Sequence, residues 1–158
     1  MIEAYAAGAD ALVAAIADLS PRELNAPPPP GAPGTWTIQQ IVVHVMDSDL
    51  IASHRMKRII AEPKPPLLIG YDETSFARHL GYEHLDARTA AEVYRLNRHI
   101  TADILRALTP DAFERWGVHN EHGKVTLAEM VRMYTHHVEH HMRFVRQKRQ
   151  LLGAPMEA

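Results

Sequence analysis

The sequence predicts an all-α protein, an up-and-down four-helix bundle with short connecting helices. Three observations carry this. Apolar residues recur at helical spacing in four long segments. Three of those segments open on a capping box, and proline-rich breaks separate them. No stretch alternates convincingly with the period of a β-strand. The 158 residues are long enough for one domain with its own core, taken here as residues 1–158.

The first predicted helix spans Ile2 to Leu19, with Leu12, Ala15, Ile16 and Leu19 on one face. Ser20-Pro-Arg-Glu23 forms a capping box with proline at the first helical position, which starts at most a short helix. Asn25 to Gly34 carries four consecutive prolines, so it reads as a stiff connector. The second long helix starts at the box Thr37-Ile-Gln-Gln40. Its stripe is Ile38, Ile41, Val42, Val45, Ala52, Met56, Ile59 and Ile60, and Pro63, Pro65 and Pro66 end it. Gly70 to Thr74 leads into a short helical piece, Ser75 to about Leu80. The third long helix runs from Thr89, with Thr89-Ala-Ala-Glu92 as its box, to about Leu108. Thr109-Pro110 begins another short helix. Trp116 to Lys124 is expected to be a loop. The last helix opens on Thr126-Leu-Ala-Glu129 and runs to about Leu152 before Gly153.

Composition narrows the function classes. The hydrophobic fraction is 46% and the net charge −2, with both signs mixed along the chain, so no nucleic-acid footprint is expected. The basic cluster Arg143, Arg146, Lys148 and Arg149 reads as a helix C-terminus that favours cations. The absence of cysteine excludes disulfides, thiolate metal sites and a cysteine nucleophile. No apolar run approaches the roughly 20 residues needed to span a bilayer. The start, Met1-Ile-Glu-Ala-Tyr, lacks the pattern of a signal peptide. A cytoplasmic location without membrane contact is the expectation.

The unusual number is eleven histidines, the commonest metal-ligand residue. Four crowd the last helix at positions 136, 137, 140 and 141. Its core stripe is Leu127, Val131, Tyr134, Val138, Met142 and Val145. At about 100° per residue, His141 falls within roughly 20–30° of the stripe's centre and His137 roughly 60° off it. His136 and His140 point away. The inward pair is thus His137 and His141, spaced i, i+4, which stacks two imidazoles on one face and suits metal chelation. Two core histidines bonded to polar neighbours are the alternative. A third ligand must come from another helix. His44, within Ile41-Val-Val-His44-Val-Met, is the best candidate, although it lies on the flank of its stripe.

The chain resembles the DinB-like superfamily, in particular its YfiT-type branch of metal-dependent hydrolases, related to bacillithiol transferases. The resembling stretches are Trp36-Thr-Ile-Gln-Gln-Ile-Val-Val-His44-Val-Met-Asp47-Ser48, Tyr71-Asp72-Glu73, Val118-His119-Asn-Glu121-His-Gly123-Lys-Val-Thr-Leu127, and Tyr134-Thr-His-His137-Val-Glu-His140-His141. They occur in the family's order between about Thr35 and Val145. The resemblance implies a four-helix bundle holding a metal on His44, His137 and His141, and a homodimer. One departure is that Val43 precedes His44, where the family often has two adjacent histidines.

Three neutral imidazoles leave a divalent ion with open positions, the layout of a catalytic site. Nitrogen ligands suit zinc, nickel, copper or iron, with zinc or nickel expected here. Such an ion activates water or holds a substrate thiol as thiolate. The expected function is therefore a divalent-metal-dependent enzyme acting on a small-molecule substrate, as a thiol S-transferase with a low-molecular-weight thiol as cosubstrate, or as a hydrolase. The alternative is a non-catalytic metal-binding or stress-response bundle. A third possibility is a pH-sensitive, histidine-rich surface with no metal. Asp47, nearly one turn beyond His44, is a candidate general base or orienter of a ligand water, with a solvated helix aspartate as the alternative. His119 and Glu121 are candidates to cover the pocket and carry a proton, against the alternative of surface loop residues. Tyr134 is read as a core tyrosine or a hydrogen-bond donor to substrate.

Overall fold

The computed structural model describes residues 1–156. It is built from α1 (Ile2–Ala7), α2 (Ala11–Ile16), α3 (Pro21–Leu24), α4 (Ile38–Ala61), β1 (Leu67–Leu68), α5 (Glu73–His79), α6 (Ala87–Arg106), β2 (Trp116–His119), β3 (Gly123–Thr126) and α7 (Leu127–Leu151), with single 3₁₀ turns at Tyr82–His84 and Pro110–Glu114. The four-helix bundle is formed by α4, α6, α7 and the consecutive helices α1 and α2, which together make its fourth side. Around it, α4 packs on α6 and α7, and α1–α2 packs on the same two helices from the other side. Helices α6 and α7 are consecutive in the chain yet lie across a diagonal, and α1–α2 is likewise diagonal to α4. The proline-rich connector and the Leu108–Thr126 segment are therefore the two links that cross the bundle's ends.

Local signals set most boundaries. Thr37, Ser20 and Thr126 each accept a hydrogen bond from the backbone N–H three residues on, with the glutamine or glutamate there reaching back. Several expectations need correction. The first helix breaks between Ala7 and Ala11 into tight i to i+3 turns, and buried partners hold the break: Arg98 Nη1 donates to Tyr5 O at 3.0 Å and the Tyr94 hydroxyl to Gly8 O at 3.1 Å. A Cβ at Gly8 would come within 2.8 Å of Arg98. The third helix starts at Ala87, capped by Asp86, whose carboxylate accepts from the Thr89 N–H at 2.6 Å. That extra turn buries Ala87, Ala90 and Ala91. Finally, the basic cluster divides. Arg143 and Arg146 are exposed, but Arg149 is buried against Asp18 at 2.6 Å and Lys148 is buried beside Gly34.

The segment expected to be a loop is a β-hairpin, and with β1 it makes a small sheet in the order β1-β2-β3, parallel then antiparallel. The strands are four residues or fewer, and β2 inverts the usual pattern: Gly117 and His119 face inward while Val118 faces out. That inversion hid it from the sequence. Gly123, at φ +70°, closes the three-residue turn, as this hairpin class requires. Gly117 admits Leu68, since a Cβ there would meet Leu68 Cδ1 at 2.8 Å. Arg115 ties the hairpin to the end of α4, donating to Ile59 O at 2.8 Å. The sheet thereby holds His119 against the α4–α7 side of the bundle, and the core beneath it is Ala52, Met56, Ile59, Leu68, Val125, Leu127 and Val131.

Candidate metal centre

Helices α4 and α7 pack side by side, and their facing surfaces carry the three histidines. His137 and His141 stand one above the other on α7 with ring centroids 4.6 Å apart, as their spacing dictates. His44 reaches across from α4, 4.8 Å from the His141 ring and 5.3 Å from that of His137. One ring nitrogen from each lies within 4.8 Å of the other two. A tetrahedral ion with bonds of about 2.1 Å sets such nitrogens about 3.4 Å apart, within reach of small rotamer adjustments. Trp36, just before the α4 cap, packs on the outer side of His44 at 5.0 Å. His136 and His140 are exposed, as helical phase predicts.

Burial sets the electrostatics. His44 is 1% exposed, and desolvation with the neighbouring His141 lowers its pKa to about 3. Desolvation, then His141 and His44, lower His137 to about 3. Desolvation, then His140, lowers His141 to about 4. All three are neutral near pH 7, the form that offers a lone pair to a metal. Both nitrogens of His44, and Nδ1 of His141, are buried with no hydrogen-bond partner among the described residues. Orphaned buried polar atoms are costly, and a metal ion would satisfy these. The residues present therefore fit a divalent transition metal.

Two open clefts meet at the cluster. One runs past Trp36, Thr74, His140 and Phe144. The other runs past Ser48, Arg55, Tyr71, His119, Glu121 and Tyr134. His137 and Glu73 line both. Glu73, the first residue of α5, holds Oε2 3.6 Å from His44 Nε2 with its side chain 60% exposed. Nothing local in the sequence ties Glu73, at the start of α5, to α4. The sequence signal at Arg55 is equally slight, a charge beside the apolar stripe of α4.

The three candidate acid–base residues are placed differently from one another. Asp47 accepts a hydrogen bond from the Tyr82 hydroxyl at 2.5 Å and is not among the residues lining either cleft. Burial, then Asp47, pushes the Tyr82 pKa up. His119 is buried at the end of β2, not in a loop, and its Nδ1 accepts from the Glu121 N–H at 3.2 Å. That bond fixes the tautomer of the neutral ring, with its proton on Nε2. Burial, then Arg55 and His122, lower its pKa. Glu121 sits on the hairpin turn, its carboxylate over Gly70. His119, Glu121 and His122 also bring ligand atoms within 4.8 Å of one another. However, Nδ1 of His119 is already engaged and the rings of His119 and His122 stack at 4.7 Å.

A helical bundle with a three-histidine cluster open to solvent on two sides defines a class of metal-binding fold. The chain belongs to the DinB superfamily, which it matches over residues 4–145. Its relatives include proteins named "Putative metal-dependent hydrolase". One, from Oceanobacillus iheyensis, is 29% identical over 109 residues, 69% of this chain and 62% of the relative, so the chain spans less than two thirds of that protein. Another, from Bacillus mycoides, is 29% identical over 90% of this chain and 79% of the relative. The fold of YfiT from Bacillus subtilis superposes with a TM-score of 0.85 at 23% identity, over 96% of this chain and 85% of that one. A mycothiol-dependent maleylpyruvate isomerase shares the fold more distantly, with a TM-score of 0.69 at 13% identity over 91% of this chain and 58% of that one.

Proposed function

We propose that the protein is a divalent-metal-dependent enzyme that joins a low-molecular-weight thiol to a small electrophilic substrate, with His44, His137 and His141 as the metal ligands and zinc or nickel as the ion. The observation that carries this reading is the meeting of two separate clefts at one three-histidine cluster. A transfer reaction needs room for two reactants at the ion; a hydrolysis needs room for one and water. When bound, the ion supplies Lewis acidity, lowering the pKa of a thiol or a water molecule.

The chain's own residues supply the rest. Glu73 stands at the junction of both clefts and accepts the proton that the thiol loses. His119 offers Nε2–H to the substrate from the polar cleft. Glu121, bonded through its N–H to His119, is a positioning residue. Asp47 acts through Tyr82, holding the 3₁₀ turn at Tyr82–His84 against α4. The names of the relatives favour hydrolysis as a second reading, in which Glu73 takes its proton from water. The reading extends to one working domain over residues 1–158, a cytoplasmic location and a homodimer. No helix among the described residues is long and apolar enough to cross a membrane. The exposed row Val93, Leu96 and Ile100 on α6 is an apolar surface suited to a second copy.

Elemental analysis of protein purified without a histidine tag tests the site: one ion per chain is expected, lost in H137A and H141A. Conjugation of a panel of small thiols to monochlorobimane, with and without chelator, tests the chemistry, and ester hydrolysis runs as the parallel arm. Metal bound without acceleration of either reaction returns the protein to a non-catalytic metal-binding role.

A further inference from the structure

Among the described residues three arginines are buried, and two have obvious counter-ions. Arg98 pairs with Asp49 at 3.0 Å and Arg149 with Asp18 at 2.6 Å. The third, Arg55, is 7% exposed and has no carboxylate within ion-pair distance among the described residues. Its recorded bonds go to neutral oxygens, Ile69 O through Nη2 and the Tyr134 hydroxyl through Nη1 at 3.4 Å. A guanidinium has five N–H donors and is always charged. Burying one beside neutral acceptors alone costs free energy that an ion pair elsewhere in this fold offsets.

The position of that charge matters. Arg55 lies eleven residues beyond His44 on the same face of α4, and its Nη1 meets the hydroxyl of Tyr134, whose ring centroid is 5.6 Å from that of His137. It lines the polar cleft that His137 also lines. His119 stands on the same wall with Nε2–H free of its backbone bond. The cleft thus has a reactive end at the three histidines and a cationic donor group at the other.

We propose that Arg55 anchors a carboxylate of the substrate in this cleft, so that the enzyme acts on small carboxylic acids whose reactive centre lies several bonds from the carboxylate. The planar fork of Arg55 matches a carboxylate in a bidentate arrangement, and His119 Nε2–H supplies a further donor. A single negative charge is the matched one. Glu73 and Glu121 line the same cleft, so a phosphate dianion meets repulsion that a monoanion largely escapes. This assignment names the substrate class of the proposed enzyme and rests on that reading for its catalytic meaning, although the anion site itself needs no metal.

The test therefore uses metal-free protein. The side-chain Nε–H resonance of Arg55, identified by its loss in Arg55→Lys, is followed by ¹H–¹⁵N NMR while propionate, 4-hydroxybutyrate or inorganic phosphate is added at constant ionic strength. Saturable shifts of Arg55 and Gly70 with the carboxylates are expected, with phosphate weaker. Arg55→Gln should weaken carboxylate binding by about tenfold or more, and Arg55→Lys by less. No saturable shift in the wild type, or phosphate binding more tightly than carboxylate, overturns the assignment whether or not the variants fold. Binding unchanged in a folded Arg55→Gln does so too. If the wild type carries no metal on elemental analysis yet binds carboxylate through Arg55, the metal reading has failed and this one stands. Full metal loading with no carboxylate binding is the reverse.

Discussion

Lowering the pH of the chelated, metal-free protein from 7 to 5.5 should remove about 4 kcal/mol of stability. His44, His137 and His141 are held neutral in the fold, with pKa values of about 3, 3 and 4. Unfolded, each returns to an ordinary value of about 6.5. Their folded values are depressed, so the unfolded chain binds the protons first and stability falls as the pH falls below 6.5. Integrating that proton uptake between pH 7 and 5.5 gives about 1.2 kcal/mol per histidine, and about 4 kcal/mol for three. With a slope of about 2 kcal/mol per molar urea, the unfolding midpoint drops by about 2 M. Carboxylates such as Asp86 and Glu129, whose pKa values are lowered, titrate below this window. His119, also lowered, adds in the same direction. Urea titrations followed by circular dichroism at the two pH values measure the loss. His141→Gln should remove about a third of it. A wild-type midpoint that stays within about 0.3 M refutes the claim that the fold holds these three imidazoles neutral together. Saturating zinc at neutral pH should raise the midpoint, by about 4 kcal/mol of stability at a thousandfold excess over its dissociation constant.

Other consequences follow from the packing. Asp49→Ala leaves the buried Arg98 without its carboxylate and should cost about 3–5 kcal/mol, a fall in Tm of about 10 °C by scanning calorimetry. Gly117→Ala places a Cβ 2.8 Å from Leu68 Cδ1 and 3.0 Å from Pro66 O, costing about 1–3 kcal/mol. Hydrogen exchange should then quicken at Val118 and Asn120, whose N–H groups bond Pro66 O and Leu68 O. Leu96→Glu, in the exposed row on α6, should shift a homodimer to monomer in sedimentation velocity while leaving metal content unchanged.

Legibility in the sequence followed the range of the interaction. The capping boxes at Ser20, Thr37 and Thr126 are three-residue devices, and each stands where the spacing placed it. The inward phase of His137 and His141, and the outward phase of His136 and His140, follow from helical geometry alone. Periodicity left His44 equivocal, and the resemblance to the family singled it out. The hairpin carrying His119 was missed because its inward residues are a glycine and a histidine. The roles of Glu73 and Arg55 were equally invisible.

By itself the sequence determined a helical protein with an i, i+4 histidine pair on the inner face of its last helix, because helix periodicity and capping are written in residues a turn apart. Only the tertiary structure decided the rest. It set Arg98 and Tyr94 against the carbonyls of Tyr5 and Gly8 where the first helix breaks, and it set His44 within 4.8 Å of the His141 ring. It also left Arg55 buried with no ion-paired carboxylate among the described residues. These depend on which helix faces which, and residues some 90 positions apart meet through packing that no local pattern encodes.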